Sequence, residues 1–156
     1  MRAMILALTA ALAAALLTVS PAEAPEQTEV MATLKQYAAS FNKGDKDANV
    51  AACAPQANII DEFPPYAWQG PAAGADWWDD NEAFVKKNQI MGANLAPGKA
   101  SHTEIIGDRA YMVVPTTFTY KQNGKAVTET GAVWTVALRK VSAGWRITSW
   151  AWAAGH

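Results

Sequence analysis

The chain is poor in cysteine, histidine and charge. It has one cysteine, Cys53, and two histidines among 156 residues. A single thiol closes no intrachain disulfide, so stability has to come from packing. Cys53 lies in the apolar stretch Val50-Ala51-Ala52-Cys53-Ala54, which has a helical composition, and reads as a small buried hydrophobe rather than a reactive thiol. No histidine or cysteine stands at metal-ligand spacing, so no metal site is expected. One interior histidine and no serine motif give no basis for a Ser-His-Asp triad. There is no Gly-rich phosphate loop, no Gly-x-Ser-x-Gly elbow and no Cys-x-x-Cys, and no cofactor is expected. Charged residues make up 17% of the chain, for a formal net charge of -1. The lysines are scattered and form no basic stripe, which argues against nucleic acid as a partner and against a polybasic membrane patch.

Long apolar runs are also scarce, with one exception. Ala3 to Val19 is almost unbroken Ala, Leu, Met and Ile, preceded by Arg2 and followed by Ser20-Pro21-Ala22-Glu23-Ala24-Pro25. This order is that of a secretory signal peptide. Cleavage after Ala22 competes with cleavage after Ala24, where Pro25 would obstruct the cut. The run is just long enough for a retained anchor as the alternative. The expected organisation is a signal peptide at 1–22, a short acidic lead-in at 23–29 and a single domain at 30–153. The protein is expected outside the cytoplasm, periplasmic or secreted, with no stable membrane insertion once the signal is removed. The remaining length suffices for one core.

What is abundant is tryptophan, seven residues in all. Val30, Leu34, Tyr37 and Phe41 recur on one face of a helix. Gly44 suits a left-handed cap, and Asp45 an N-cap for a short second helix over about 46–54 that ends at Pro55. Asn58 to Glu62 reads as a strand and 63–75 as a loop. A third helix is predicted over about 76–89, its start carrying Asp76, Asp79, Asp80 and Glu82, which suit the positive helix end better than a metal. Segments 101–106, 110–121, 125–141 and 144–153 are β-branched and aromatic, punctuated by Gly107-Asp108, Gln122-Asn123-Gly124 and Ser142-Ala143-Gly144, as hairpins require. Helices followed by an antiparallel sheet indicate an α+β fold.

The stretch Asp61-Glu62-Phe63-Pro64-Pro65-Tyr66-Ala67-Trp68-Gln69-Gly70 points most directly at chemistry. A carboxylate at a strand mouth, walled by aromatics, can become a base with a raised pKa, because a poorly solvated charge is disfavoured. The plainer alternative for Asp61 is a carboxylate that binds backbone amides in the Pro64-Pro65 corner. Tyr37 is on the apolar stripe, so its hydroxyl needs an internal partner or serves as a donor to a ligand. Tyr66, Trp68, Trp77 and Trp78 are candidate walls of a pocket mouth. Trp77 and Trp78 are adjacent on a helix and cannot both face the core squarely, so one belongs at a rim or contact surface. Trp134 is a candidate ligand contact within a strand. Trp150 and Trp152 share a face that is either a concave pocket wall or an outer surface.

Taken in order, Tyr37-Ala38-Ala39-Ser40-Phe41-Asn42-Lys43-Gly44-Asp45, Ala57-Asn58-Ile59-Ile60-Asp61, Gln69-Gly70, Gly107-Asp108-Arg109-Ala110-Tyr111 and Gly144-Trp145-Arg146-Ile147 give the chain a resemblance to the nuclear transport factor 2-like superfamily. It is most similar to the SnoaL-like and ketosteroid-isomerase-like branches. The resemblance implies a cone-shaped α+β fold in which N-terminal helices pack into a strongly curved, mostly antiparallel sheet around one pocket. It also implies a small hydrophobic ligand and a homodimer formed through the outer face of the sheet. Matched residue by residue, it places Tyr37 on the branch's oxyanion-hole tyrosine and Asp61 on its general-base aspartate. It suggests His102, at a strand start, as a proton relay in the pocket. The segment aligned with the third, protonated carboxyl is Thr130-Gly131-Ala132-Val133-Trp134, which holds no carboxylate. Losing one such donor typically lowers rate by about 10² to 10³. Two functions therefore compete: isomerisation, cyclisation or dehydration through an enol-like intermediate, and non-catalytic ligand binding or dimeric interaction.

Overall fold

The apolar stripe of the first helix sets the architecture. In the computed structural model, which describes residues 23–155, α1 spans Glu23–Lys43. Val30 and Leu34 are fully buried and Tyr37 nearly so. The expected lead-in at 23–29 is thus the opening turns of α1, since nothing in Glu26-Gln27-Thr28-Glu29 resists a helix whose stripe begins at Val30. The signal-peptide expectation falls outside the described residues. No described helix is long and apolar enough to cross a membrane.

The turn after α1 follows its sequence closely. Gly44 has φ +70, a left-handed value that suits glycine. The Asp45 carboxylate accepts from the Ala48 amide and caps α2, Lys46–Ala51. That helix is shorter than predicted. Cys53 is not helical but opens β1, Cys53–Ile60, opposite Ile147. The Ile147 amide donates to the Ala52 carbonyl at 3.0 Å, so strand pairing overrides the local preference of an alanine-rich segment. Pro55 is tolerated because β1 is out of register with its parallel neighbour between Cys53 and Asn58.

The remaining elements are β2 Ala67–Gly70, α3 Ala73–Lys87, β3 Ile90–Pro97, β4 His102–Ile106, β5 Arg109–Gln122, β6 Lys125–Val141 and β7 Gly144–Ala153. The sheet order is β2-β1-β7-β6-β5-β3, with β4 also pairing to β5. The β1–β7 pair is parallel and the others are antiparallel. The fold is α+β, with a curved, open, mixed sheet. Two strands escape the sequence pattern. β2 lies within the predicted loop and closes a hairpin with β1. β3 has little β-branched character, and its pairing partner β5 and helix α1 hold it instead. The Leu95 amide donates to Asn42 Oδ1 at 2.7 Å, and Asn42 Nδ2 donates to the Leu95 carbonyl at 2.9 Å. Asn42 thus occupies the backbone groups of an edge strand as a neighbouring strand would.

The core lies between α1, α3 and the concave sheet face. Trp77 and Trp78 are both buried, contrary to the expectation that one would lie at a rim. Their rings stand 6.3 Å apart in an edge arrangement. Trp77 packs toward Trp150 on the sheet, whereas Trp78 packs on Phe41.

Candidate functional site

At the concave face, α1, the β1–β2 connection, α3 and strands β3, β5, β6 and β7 enclose a cavity of about 250 Å³. Its inner wall is Tyr37, Trp134 and Trp150, each at most 5% exposed. The Tyr37 ring lies 5.2 Å from Trp134 and 6.3 Å from Trp150. The backbone of α1 is fixed here by a buried residue of the next helix: Asn49 Nδ2 donates to the Tyr37 carbonyl at 3.1 Å and to Ser40 Oγ at 3.2 Å. The Tyr37 hydroxyl and the Trp150 indole N–H are buried, and neither makes a hydrogen bond. A buried donor left unmade costs about 1–3 kcal/mol, so this end of the cavity is built to receive a polar atom. Burial lifts the Tyr37 hydroxyl well above the ordinary phenol range, helped by the charges of Cys53 and Asp61 and opposed by the nearby Trp150 N–H and Asn49 amide.

Asp61 follows the last residue of β1 and is also on the wall. Its Oδ2 accepts from Trp77 Nε1 at 2.8 Å, and its Oδ1 from the Glu62 amide at 2.8 Å. Burial pushes its pKa up to about 6. The two donors hold it down, and the charge of Glu129 adds to the rise. Glu62, next along, is pushed up to about 7 by burial and by Glu129 and Asp61.

Glu129 is the residue that the sequence pattern hides. Between Thr116 and Phe118 on β5, strand β6 advances from Ala132 to Glu129, one residue more than its partner. Gly131 sits in this bulge at φ +79. Inward-facing positions on β6 are Ala132, Trp134, Val136 and Leu138, and counting back by twos leaves Glu129 outward. The extra residue reverses that parity and turns Glu129 into the cavity. The aligned segment Thr130-Gly131-Ala132-Val133-Trp134 itself holds no carboxyl, and Glu129, one residue before it, brings one to the cavity. Burial raises its pKa, donors from Tyr120 and the Gly155 amide oppose the rise, and its Oε2 makes no hydrogen bond. The available signal was Gly131, since a glycine inside a strand often marks a bulge.

The predicted residues divide cleanly. Asp61, Tyr37 and Trp134 meet at the cavity. Tyr66, Trp68, Trp78 and His102 are not on its wall. Tyr66 is 56% exposed on the β1–β2 turn. Trp68 is buried against Phe63, and its indole donates to Asp80 at 2.8 Å. Trp78 is buried against Phe41 and donates to Glu82 at 3.1 Å. His102 is exposed on β4, beside Tyr111. Trp150 and Trp152 line the concave wall, while Trp77 takes the place expected of Trp78. Cys53 is buried, and its thiol is pushed up to about 12. Among the described residues, no three of His, Cys, Asp and Glu are placed to hold a metal ion.

Three solved structures show the same fold at low identity. An NTF2-like protein with a cystatin-like fold from Novosphingobium aromaticivorans has a TM-score of 0.69 at 17% identity, over 85% of this chain and 84% of that one. A ketosteroid isomerase-like protein from Erwinia carotovora atroseptica has a TM-score of 0.65 at 17% identity, over 83% and 95%. A hexachlorocyclohexane dehydrochlorinase from Novosphingobium barchaimii has a TM-score of 0.71 at 9% identity, over 86% and 89%. No curated protein matches the sequence. The family model of the SnoaL-like domain matches residues 30–152, and with the cone of helices and bent sheet around one cavity this places the chain in the SnoaL-like family of NTF2-like folds.

Proposed function

We propose that this protein is an exported, cofactor-independent enzyme that moves a proton on a small, largely apolar carbonyl compound. One observation carries the reading. A carboxylate with a pKa of about 6 faces the same cavity as a buried hydroxyl that has no partner. At neutral pH Asp61 is mostly ionised, yet more basic than an ordinary carboxylate, which is the balance a general base needs. It would take a proton from the carbon beside the carbonyl. The C–H electron pair would form the new C=C bond, and the carbonyl π pair would move onto oxygen. Tyr37, with the Trp150 N–H, would donate to that oxygen. Returning the proton to another carbon gives isomerisation. Expelling a β-substituent gives dehydration or a related elimination.

The reading is tested by α-deuterium exchange into aryl ketones in D2O, followed by NMR. Wild type should accelerate exchange. Asp61→Asn should lower it by about 10² or more, and Tyr37→Phe by about tenfold or more. Exchange that survives Asp61→Asn would refute the assignment. The second reading is a binding protein without chemistry. It is favoured by the two hydrogen bonds that Asp61 already accepts, and it predicts ligand affinity that Asp61→Asn barely alters.

A further inference from the structure

The wall of the cavity carries three acids and no base. Asp61, Glu62 and Glu129 all face it, and none of its lining residues is Lys, Arg or His. The charged or titratable groups facing Glu62 and Glu129 are Asp61 from the end of β1, Tyr120 from β5 and, deeper, Tyr37 from α1. The other surrounding elements contribute only uncharged groups: Trp77, Asn81 and Phe84 from α3, Ile90 and Leu95 from β3, and Trp150 and Trp152 from β7. Among the described residues, no ion pair joins any of the three carboxyls to a cation. One carboxylate oxygen, Glu129 Oε2, is buried and unpartnered. Aromatic faces surround this acidic end: Phe118 lies 5.2 Å from Tyr120 and 6.0 Å from Trp152. The opposite, inner end offers two unpartnered donors, the hydroxyl of Tyr37 (2% exposed) and the indole of Trp150 (5% exposed). The cavity is therefore polarised: Glu62, exposed, and Glu129, half-buried, stand nearer solvent than the buried donors of Tyr37 and Trp150, with Asp61 deeper on the wall against Trp77.

We infer that this cavity takes an organic cation, a ligand with an alkylammonium group held among Glu62, Glu129 and the aromatic rings and an oxygen acceptor directed at Tyr37 and Trp150. This rests on reading the cavity as a small-molecule site and specifies the class of molecule. The unpaired carboxyls call for positive charge, and aromatic faces favour alkylammonium groups over strongly hydrated ions. A metal ion fits poorly, because no three acidic, histidine or cysteine side chains converge among the described residues. The inference also removes a difficulty in the proposed chemistry. An enolate formed on a neutral molecule would grow beside carboxylates that repel it, whereas a cationic group on the substrate offsets that repulsion. The raised positions of Glu62, to about 7, and of Glu129 are those of acids that lack this counter-charge.

The test is a tryptophan-fluorescence titration of the folded protein with two probes of one shape: phenacyltrimethylammonium and its neutral carbon isostere, neopentyl phenyl ketone. At about pH 8 the cation should bind at least tenfold more tightly. The preference should shrink toward about pH 5, as Glu62 and Glu129 take up protons and lose their charge. The double variant Glu62→Gln, Glu129→Gln should lose most of the preference, with binding of the ketone retained. Equal or tighter binding of the neutral ketone to wild type, at both pH values, would overturn the inference and leave the small-molecule reading standing. Failure of both probes to bind would overturn both. The wild-type comparison across pH decides the matter even where the double variant folds poorly.

Discussion

Replacing Asp61 with Asn should make the protein more stable at alkaline pH and not at acid pH. The folded carboxyl titrates at about 6, against 3.8 for the exposed group. Between those values the folded chain keeps a proton that the unfolded chain releases, so protonation favours the fold. This stabilisation is whole below 3.8, is lost as pH rises through about 6, and is gone above it. A little over two pH units at about 1.36 kcal/mol each is about 3 kcal/mol. Roughly 0.5 kcal/mol of it has already gone at about pH 4, which leaves about 2.5 kcal/mol to be lost by about pH 8. Asn does not ionise and escapes that loss. It has one carbonyl oxygen in place of two, so it can accept from Trp77 or from the Glu62 amide but not from both. That costs about 1 kcal/mol at either pH. The variant should therefore be about 0.5 kcal/mol less stable near pH 4 and about 2 kcal/mol more stable near pH 8. Urea unfolding followed by tryptophan fluorescence reads both values, since six of the seven tryptophans are buried. Glu129 titrates in both proteins and largely drops out, whereas Glu62 loses the repulsion of Asp61 in the variant, which adds to the gain near pH 8. A stability difference between variant and wild type that is the same at the two pH values, within about 0.5 kcal/mol, would refute the burial argument.

Two further substitutions probe the same region. Tyr37→Phe removes a hydroxyl that is buried without a partner, so the urea midpoint should stay or rise, by up to about 1 kcal/mol of stability, while exchange activity falls; a loss beyond about 1 kcal/mol would show that the hydroxyl is bonded in the fold. Asn42→Ala breaks both bonds to Leu95 and should cost about 1–2 kcal/mol, with amide hydrogen exchange accelerating across β3 before it does in β5 and β6; uniform exchange would show that Asn42 does not hold that edge.

Much of the cone was legible because its signals are local. The stripe Val30, Leu34, Tyr37, Phe41 and the caps Gly44 and Asp45 act within a few residues of chain, and the structure follows them. The long strands β5, β6 and β7 have their own β-branched and aromatic content and appear within a residue or so of the predicted limits. β3 was not legible, because Gly92, Ala93, Asn94 and Pro97 contradict a strand locally and only β5 and Asn42 make it one. Cys53 misled for the converse reason, an alanine-rich segment drawn into pairing with β7. Tyr66, Trp68 and Trp78 were chosen for aromatic character, which does not say whether a ring faces a cavity, a core or water.

The sequence alone determined the class of fold and the two residues at the centre of the site. Helical period placed Tyr37 inward, and a run of alternating apolar residues ended at Asp61. Only the tertiary structure decided which other groups join them. Glu129 enters the cavity because one extra residue at the Thr130-Gly131 bulge shifts a period-two pattern by one, and that shift is set by pairing with β5. Glu62 acquires its raised pKa from burial and from Glu129 on a distant strand, with the neighbouring Asp61 adding to it. Local periodicity says which way a side chain points along an unbroken element. Where an element is interrupted, or where a group's charge depends on neighbours from other strands, long-range packing supplies the answer.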